Sequence, residues 1–170
     1  MIQINLKRKY ENNSCTHGIL TIPAYSFRCL TLELRNGDDL DYKLDCRISE
    51  GSYILERGYA QEWPSFPVFK KKPLGFAKRP VFNLSADKYM NLPSGDIALD
   101  TEMLDKFSIR PSDELATAFK EIFQDAFARK ETVVLCVYKS TSYKHEDISY
   151  SPFQNKVFNF INSNKPLKIE

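Results

Sequence analysis

The stretch that decides the fold runs from Ser112 to Tyr138: SDELATAFKEIFQDAFARK as far as Lys130, then Glu131, then TVVLCVY from Thr132. In its first part Leu115, Phe119, Ile122, Phe123, Ala126 and Phe127 recur at steps of three and four, which lines one face of a helix with apolar side chains. Ser112 suits the N-cap, Asp113 and Glu114 place acid at the positive end of the helix dipole, and Arg129 with Lys130 close the other end. The period then changes. Thr132 to Tyr138 is β-branched and continuously apolar, as expected of a central strand buried on both faces. A one-faced helix followed by such a strand needs a sheet to lie on. Further on, Ser151-Pro152 opens a second expected helix, with Phe153, Val157, Phe160 and Ile161 on one face.

Working back from Ser112, the first hundred residues supply that sheet. Ile2, Ile4 and Leu6 alternate with polar residues, the pattern of a half-buried strand. A polar stretch from Glu11 to His17 leads into Gly18-Ile19-Leu20-Thr21-Ile22, and Phe27 to Leu34 (FRCLTLEL) follows with Leu30, Leu32 and Leu34 on one face. Asn36-Gly37-Asp38-Asp39 is a strong turn signal. A strand centred on Tyr53-Ile54-Leu55 is entered through Gly51. Shorter strands are predicted at Val81-Phe82-Asn83-Leu84 and Asp96-Ile97-Ala98-Leu99, the second after the turn Pro93-Ser94-Gly95. The expectation is one α+β domain over residues 1–170. A β-rich part, 1–100, forms a mainly antiparallel sheet or barrel-like sandwich; a helix–strand–helix part, 111–170, packs on it with two helices in the C-terminal third.

The chain is 42% hydrophobic and 27% charged with a net charge of +2, a balance that argues against disorder and against a globally basic nucleic-acid binder. No apolar run approaches the roughly 18–20 residues of a membrane span. The opening MIQINLKRKYENN does not read as a secretory leader. Cys15, Cys29, Cys46 and Cys136 are irregularly spaced with no C-x-x-C pair, so they read as free thiols of a reducing compartment. A soluble, cytoplasmic protein is the expectation.

The near-neutral total conceals segregation. Residues 63–90 carry six basic and one acidic side chain, residues 36–62 three basic and seven acidic. In the first of these, four prolines accompany Phe66, Phe69, Lys70, Lys71, Lys72, Phe76, Lys78 and Arg79, which suggests a long loop or an extended arm. Lys70, Lys71, Lys72, Phe76, Lys78 and Arg79 are the candidate binding residues, because cations can hold phosphates while rings stack on bases. No recognition helix or RNA-binding signature accompanies them, which argues against nucleic acid.

Catalytic material is sparse. His17 and His145 both fall in polar contexts and read as surface histidines. Cys15, two residues from His17, is expected to be the exposed thiol and forms with it the one local nucleophile–base candidate. The carboxylates Asp96, Asp100, Glu102 and Asp105 could hold a hard cation or act as an acid–base pair, or form a solvated turn. Neither a Gly-rich phosphate loop nor a metal-binding spacing is present, and no metal or cofactor is expected.

The order of several short motifs resembles a family of uncharacterised domains of bacteria and their phages. The motifs are Leu6-Lys7-Arg8, Thr16-His17-Gly18-Ile19-Leu20, Thr31-Leu32-Glu33 and Cys46-Arg47-Ile48-Ser49-Glu50-Gly51-Ser52-Tyr53, followed by the Ser112 to Ala118 helix start and its apolar strand. The resemblance spans residues 4 to about 139. Members of that family carry a His on a short strand and a Cys in a following Gly-Cys-Ile turn, a pair that is similar, more distantly, to that of the L,D-transpeptidase cell-wall enzymes. At those two places this chain has Asn83 and Asp96. An amide is no base at neutral pH and a carboxylate is a poor substitute for a thiolate nucleophile. The resemblance therefore implies a binding or assembly domain without the cysteine chemistry. The alternatives are an enzyme acting on cell-wall peptide or glycan through Asn83, Asp96 and Glu33, and single-stranded nucleic-acid binding by the arm at 66–79. The partner is left open between a protein and a cell-wall fragment, with no membrane involved.

Overall fold

The computed structural model describes residues 1–35, 47–58, 67–73, 76, 78–86, 88–105, 107–110 and 112–145. Ten strands and one α-helix are found among them: β1 (Ile2–Glu11), β2 (Cys15–Ile22), β3 (Phe27–Leu34), β4 (Gly51–Arg57), β5 (Pro67–Phe69), β6 (Phe82–Asn83), β7 (Ile97–Asp100), β8 (Glu102–Asp105), β9 (Ser108–Arg110), α1 (Asp113–Ala128) and β10 (Val133–His145). The expected second helix, from Ser151, lies outside the described residues.

Eight strands form one sheet in the order β5-β4-β10-β1-β2-β3-β7-β6, and β8 and β9 form a separate hairpin. The sheet is mixed: β1 pairs parallel to β10 and β6 parallel to β7, while the other neighbours are antiparallel. Its two ends nearly meet. Val81, just before β6, makes an antiparallel bridge to Val68 on β5, and its carbonyl accepts from the Ile97 amide at 3.0 Å. The result is a barrel-like sheet closed by a single residue.

Helix α1 supplies the core of this barrel. The Ser112 hydroxyl accepts from the Leu115 amide at 3.2 Å, the expected N-cap. Leu115, Phe119, Ile122, Phe123 and Ala126 are buried against the inner face of the sheet. Phe119 is fully buried with its ring centroid 4.8–5.6 Å from those of Phe123, Phe82 and Phe27. Burying one such ring contributes on the order of 2–3 kcal/mol. β10 occupies the middle of the sheet, as its composition suggests, but it alternates: Val133, Leu135 and Val137 are buried, Val134 and Cys136 half-buried, Tyr138 exposed. The expectation of burial on both faces is corrected, because α1 covers only the inner side.

β2, β3 and β7 have both faces covered. On β3 the inward Phe27 meets Phe119 of α1, while Leu30, Leu32 and Leu34 pack outward into satellite cores with Ala86, Leu92, Ala98, Met103 and Ile109. Ala86, Leu92 and the β8–β9 hairpin thus roof the outer face of β2, β3 and β7. Two local expectations also change. Glu11 and His17 lie on strands, not in a polar loop, since β1 runs to Glu11 and β2 begins at Cys15. In the basic arm, Phe69 and Phe76 are core residues. Gly95, with φ of +83°, lets the chain turn against Phe76 and Pro80: a Cβ there would stand 2.7 Å from the Phe76 ring.

Candidate functional site

The inner face of the barrel changes character along β1. Ile2, Ile4 and Leu6 are apolar, and the next inward residue is Arg8, fully buried. A bulge between Arg8 and Tyr10 adds one residue to β1, so Glu11 returns to the inner face opposite Thr16. Arg8 lies opposite Gly18, and Gly18 opposite Thr31. One end of the barrel is therefore lined by Arg8, Glu11, Thr16, Thr31 and Glu33.

Charge is compensated inside this end. Arg8 holds Glu33 by two bonds, Nε to Oε2 at 2.9 Å and Nη2 to Oε1 at 2.7 Å, and Nη2 also donates to the Ile48 carbonyl at 2.7 Å. Arg47 pairs with Glu11 and donates to the Thr16 hydroxyl at 2.5 Å. Residues 47–50 reach over this polar end: the Arg47 amide donates to the Arg35 carbonyl, Ile48 enters the core, and Glu50 lies 3.6 Å from Lys139. Gly18 is required by the crowding, because a Cβ would stand 2.7 Å from Thr31 Oγ1 and 3.0 Å from the Lys7 carbonyl. Glu33, a candidate from sequence, is thus one half of a fully buried, bidentate ion pair. The sequence held a signal for its partner: Arg8 continues the Ile2, Ile4, Leu6 alternation onto the apolar face.

Asn83 and Asp96 are brought together, at the β6–β7 corner. The Asn83 carbonyl oxygen accepts from the amides of Ser85 at 3.0 Å and Ala86 at 2.9 Å and from the Ser85 hydroxyl at 3.2 Å. Its amide contacts Asp96, whose Oδ1 in turn accepts from the Val81 amide at 3.0 Å. Burial pushes the Asp96 carboxyl above its ordinary range, opposed by the Val81 amide, Lys78 and Asn83. Both side chains hold the closing segment of the barrel in place. Glu33 does not take part in this arrangement, its carboxylate being held by Arg8.

Cys15 and His17 correct the sequence expectation. Both are buried, on the outer side of β2, with Cys15 Sγ 3.5 Å from His17 Nε2. Asn12 Oδ1 accepts from the Ser14 amide at 2.8 Å and the Cys15 amide at 2.9 Å and lies 3.6 Å from the thiol. The thiol expected at the surface is instead inside the β1–β2 turn, and among the described cysteines the more accessible one is the half-buried Cys136. The side chain of His145 lies outside the described residues.

The acidic run is dispersed. Asp100 is buried and takes the Thr101 amide, Glu102 pairs with Arg110 at 2.9 Å, and Asp105 accepts from the Phe107 amide at 2.7 Å. Among the described residues no three His, Cys, Asp or Glu are arranged to hold a metal. No described helix is long and apolar enough to cross a membrane.

The basic candidates divide. Lys70, Lys71, Lys72, Lys78 and Arg79 are exposed, and Arg79 pairs with Glu56 at 2.8 Å. Phe76 is buried in the main core, so its ring is not available to a ligand, which corrects its place among the binding residues. The antiparallel bridge between Val68 and Val81 makes the two basic runs neighbours: Lys70–Lys72 leave the strand edge that Lys78 and Arg79 approach. Compared with family models, curated proteins and solved structures, the chain matches none of them.

Proposed function

We propose that this chain is a non-catalytic binding domain whose partner is an acidic protein surface, consistent with the assembly role that its resemblance to bacterial and phage domains implies. One observation carries the reading. The Val68–Val81 bridge that closes the barrel gathers Lys70, Lys71, Lys72, Lys78 and Arg79 into one exposed patch, with Glu56 as its paired carboxylate. The three residues of the cell-wall enzyme alternative are engaged in holding the fold: Glu33 by Arg8, Asn83 by Ser85 and Ala86, Asp96 by Val81. Cations with no described aromatic ring of the arm left outside the core favour an acidic polypeptide over single-stranded nucleic acid, which gains much of its sequence-tolerant affinity from stacking. Phe69 and Phe76 would have provided that platform, and both face the core.

The test is binding of a fluorescent poly-glutamate peptide and of an oligo-dT strand, each titrated with salt. Poly-glutamate should bind with an affinity that falls steeply as salt rises. The substitutions Lys71→Glu and Lys78→Glu should each weaken it. No binding of poly-glutamate at low salt overturns the reading. So does turnover of peptidoglycan fragments that disappears on Asp96→Asn or Asn83→Ala.

A further inference from the structure

Among the described residues, the outer face of the barrel is roofed on one half only. Over β2, β3 and β7 the satellite cores are covered by Ala86, Leu92 and the β8–β9 hairpin. Over β4, β10 and β1 the outward side chains meet solvent: Ile54 is 53% exposed and Tyr138 41%, with Val134 and Cys136 half-buried between them. The register sets these side chains in rows. Ile54 lies opposite Val134 and Val134 opposite Gln3; Ser52 lies opposite Cys136 and Cys136 opposite Asn5; Tyr138 lies opposite Lys7. An apolar strip therefore runs obliquely along the centre of the open face.

Cations flank that strip on both sides. On the β5 side, the Lys70 amide donates to the Ile54 carbonyl at 2.9 Å, so Lys70 borders the strip. On the β1 side are Lys7 and Lys9, the latter 3.1 Å from the Ser140 hydroxyl, with Arg28 beyond them on β3. Lys9 is held below the ordinary lysine range by burial first and then by the like charges of Lys7 and Arg28, which marks an accumulation of positive potential. At the outward positions of β4, of Ile2–Lys9 and of Val133–Ser142, the carboxylate present is Glu56, already paired with Arg79.

We infer that the outward face of β4, β10 and β1 docks an acidic amphipathic helix of a protein partner. The inference rests on the binding reading above and specifies the surface and the form of the partner. The dimensions agree. From β5 to β1 is three strand spacings, about 14 Å. A helix with its side chains is about 10–12 Å across. Its apolar stripe would lie on Ile54, Val134, Cys136 and Tyr138, and acidic residues along its flanks would meet Lys70 on one side and Lys7 with Lys9 on the other. Apolar anchors at the centre and charge at the rim is the usual division of labour in an interface.

The experiment compares three fluorescent probes on the full chain. They are a helix-forming peptide with leucines on one face and glutamates on both flanks, a poly-glutamate of equal charge, and an oligo-dT strand. The amphipathic peptide should bind at least about ten-fold more tightly than poly-glutamate, the scale of one good apolar anchor. Ile54→Asp and Tyr138→Asp, each on the surface and each checked by circular dichroism, should abolish that advantage, and Lys7→Glu should weaken binding at low salt. If the two probes bind equally, or if Lys71→Glu and Lys78→Glu abolish binding while Ile54→Asp and Tyr138→Asp leave it intact, this inference falls and the binding reading stands. If neither acidic probe binds, both fall. Preference for oligo-dT, lost on the same face substitutions, would assign the face to nucleic acid and overturn the helix.

Discussion

Replacing Glu33 by Gln separates a structural role from a catalytic one. In the folded chain Glu33 is fully buried and accepts both of its hydrogen bonds from Arg8, itself about 1% exposed. The amide keeps the shape but removes the charge, and it presents an NH2 group to one guanidinium nitrogen. Arg8 is then left charged in the interior, with the Ile48 carbonyl and a Glu50 carboxylate 4.0 Å away as its remaining partners. Breaking one half of a buried pair in this way costs about 3–5 kcal/mol. Single domains have about 5–15 kcal/mol in total. With a urea slope of about 2 kcal/mol/M, the midpoint should drop by roughly 2 M. Substituting both partners, Arg8→Met with Glu33→Leu, removes the uncompensated charge and should recover most of the loss, short of about 1 kcal/mol for the bond to Ile48. The assay is equilibrium urea unfolding followed by tryptophan fluorescence and circular dichroism. A shift below about 0.5 M for Glu33→Gln would refute the reasoning. A double variant less stable than the single one would refute it as well.

Three further outcomes are expected. Burial raises the Asp100 carboxyl above its ordinary range, with Thr101 and the Glu102 amide opposing the rise, and its Oδ2 has no hydrogen-bond partner. A folded-state value above the unfolded one means that the folded chain holds the extra proton. Stability therefore declines as pH climbs from about 3.9 through the folded value, and the cost persists above it. Asp100→Asn should flatten that decline and unfold at a higher temperature than wild type at pH 7; thermal melts from acid to neutral pH that superimpose would contradict it. Gly18→Ala forces a methyl against Thr31 and the Lys7 carbonyl, and should destabilise by about 1–3 kcal/mol in the same urea assay; a neutral effect would mean that the β1–β2–β3 contact is looser than described. Cys29 is fully buried and its thiol is pushed up by that burial, while Cys136 is half-buried. Iodoacetamide followed by peptide mass mapping should label Cys136 before Cys15 and Cys29, and early labelling of Cys29 would be the opposing result.

The elements governed by local periodicity were readable from the chain: α1 with its Ser112 cap, β4 entered through Gly51, the short strands β6 and β7, and the three Leu residues on one face of β3. What could not be read depends on residues far apart. The parallel pairing of β1 with β10 leaves no trace in either strand, since direction is set by the connection between them. The stretch Glu11 to His17 looks like a loop because it is polar, yet only its middle is a turn: β1 reaches Glu11, buried against Arg47, and β2 begins at Cys15. Phe69 and Phe76 looked like ligand-facing rings because lysines surround them, but on a strand and at a turn, neighbours in sequence point in different directions. At the candidate site, the sequence singled out Asn83 and Asp96 through the resemblance alone; the structure sets Asn83 on β6 and Asp96 just before β7. Their hydrogen bonds to Val81, Ser85 and Ala86 are backbone matters invisible to residue type.

The pairing of β1 with β10 also orders the birth of the molecule. The ribosome makes β1, β2 and β3 first, and these can form an antiparallel meander at once, since each neighbour in the sheet is a neighbour in sequence. That meander has an open border along β1, whose rightful occupant begins at Val133 and emerges only after α1. Contacts of such long sequence separation form late and slow the overall reaction. Until Val133–Lys139 leaves the exit tunnel, Ile2 to Arg8 presents unpaired amides and carbonyls to any passing strand. The nascent chain is therefore most prone to mispairing during the interval in which α1 is being made.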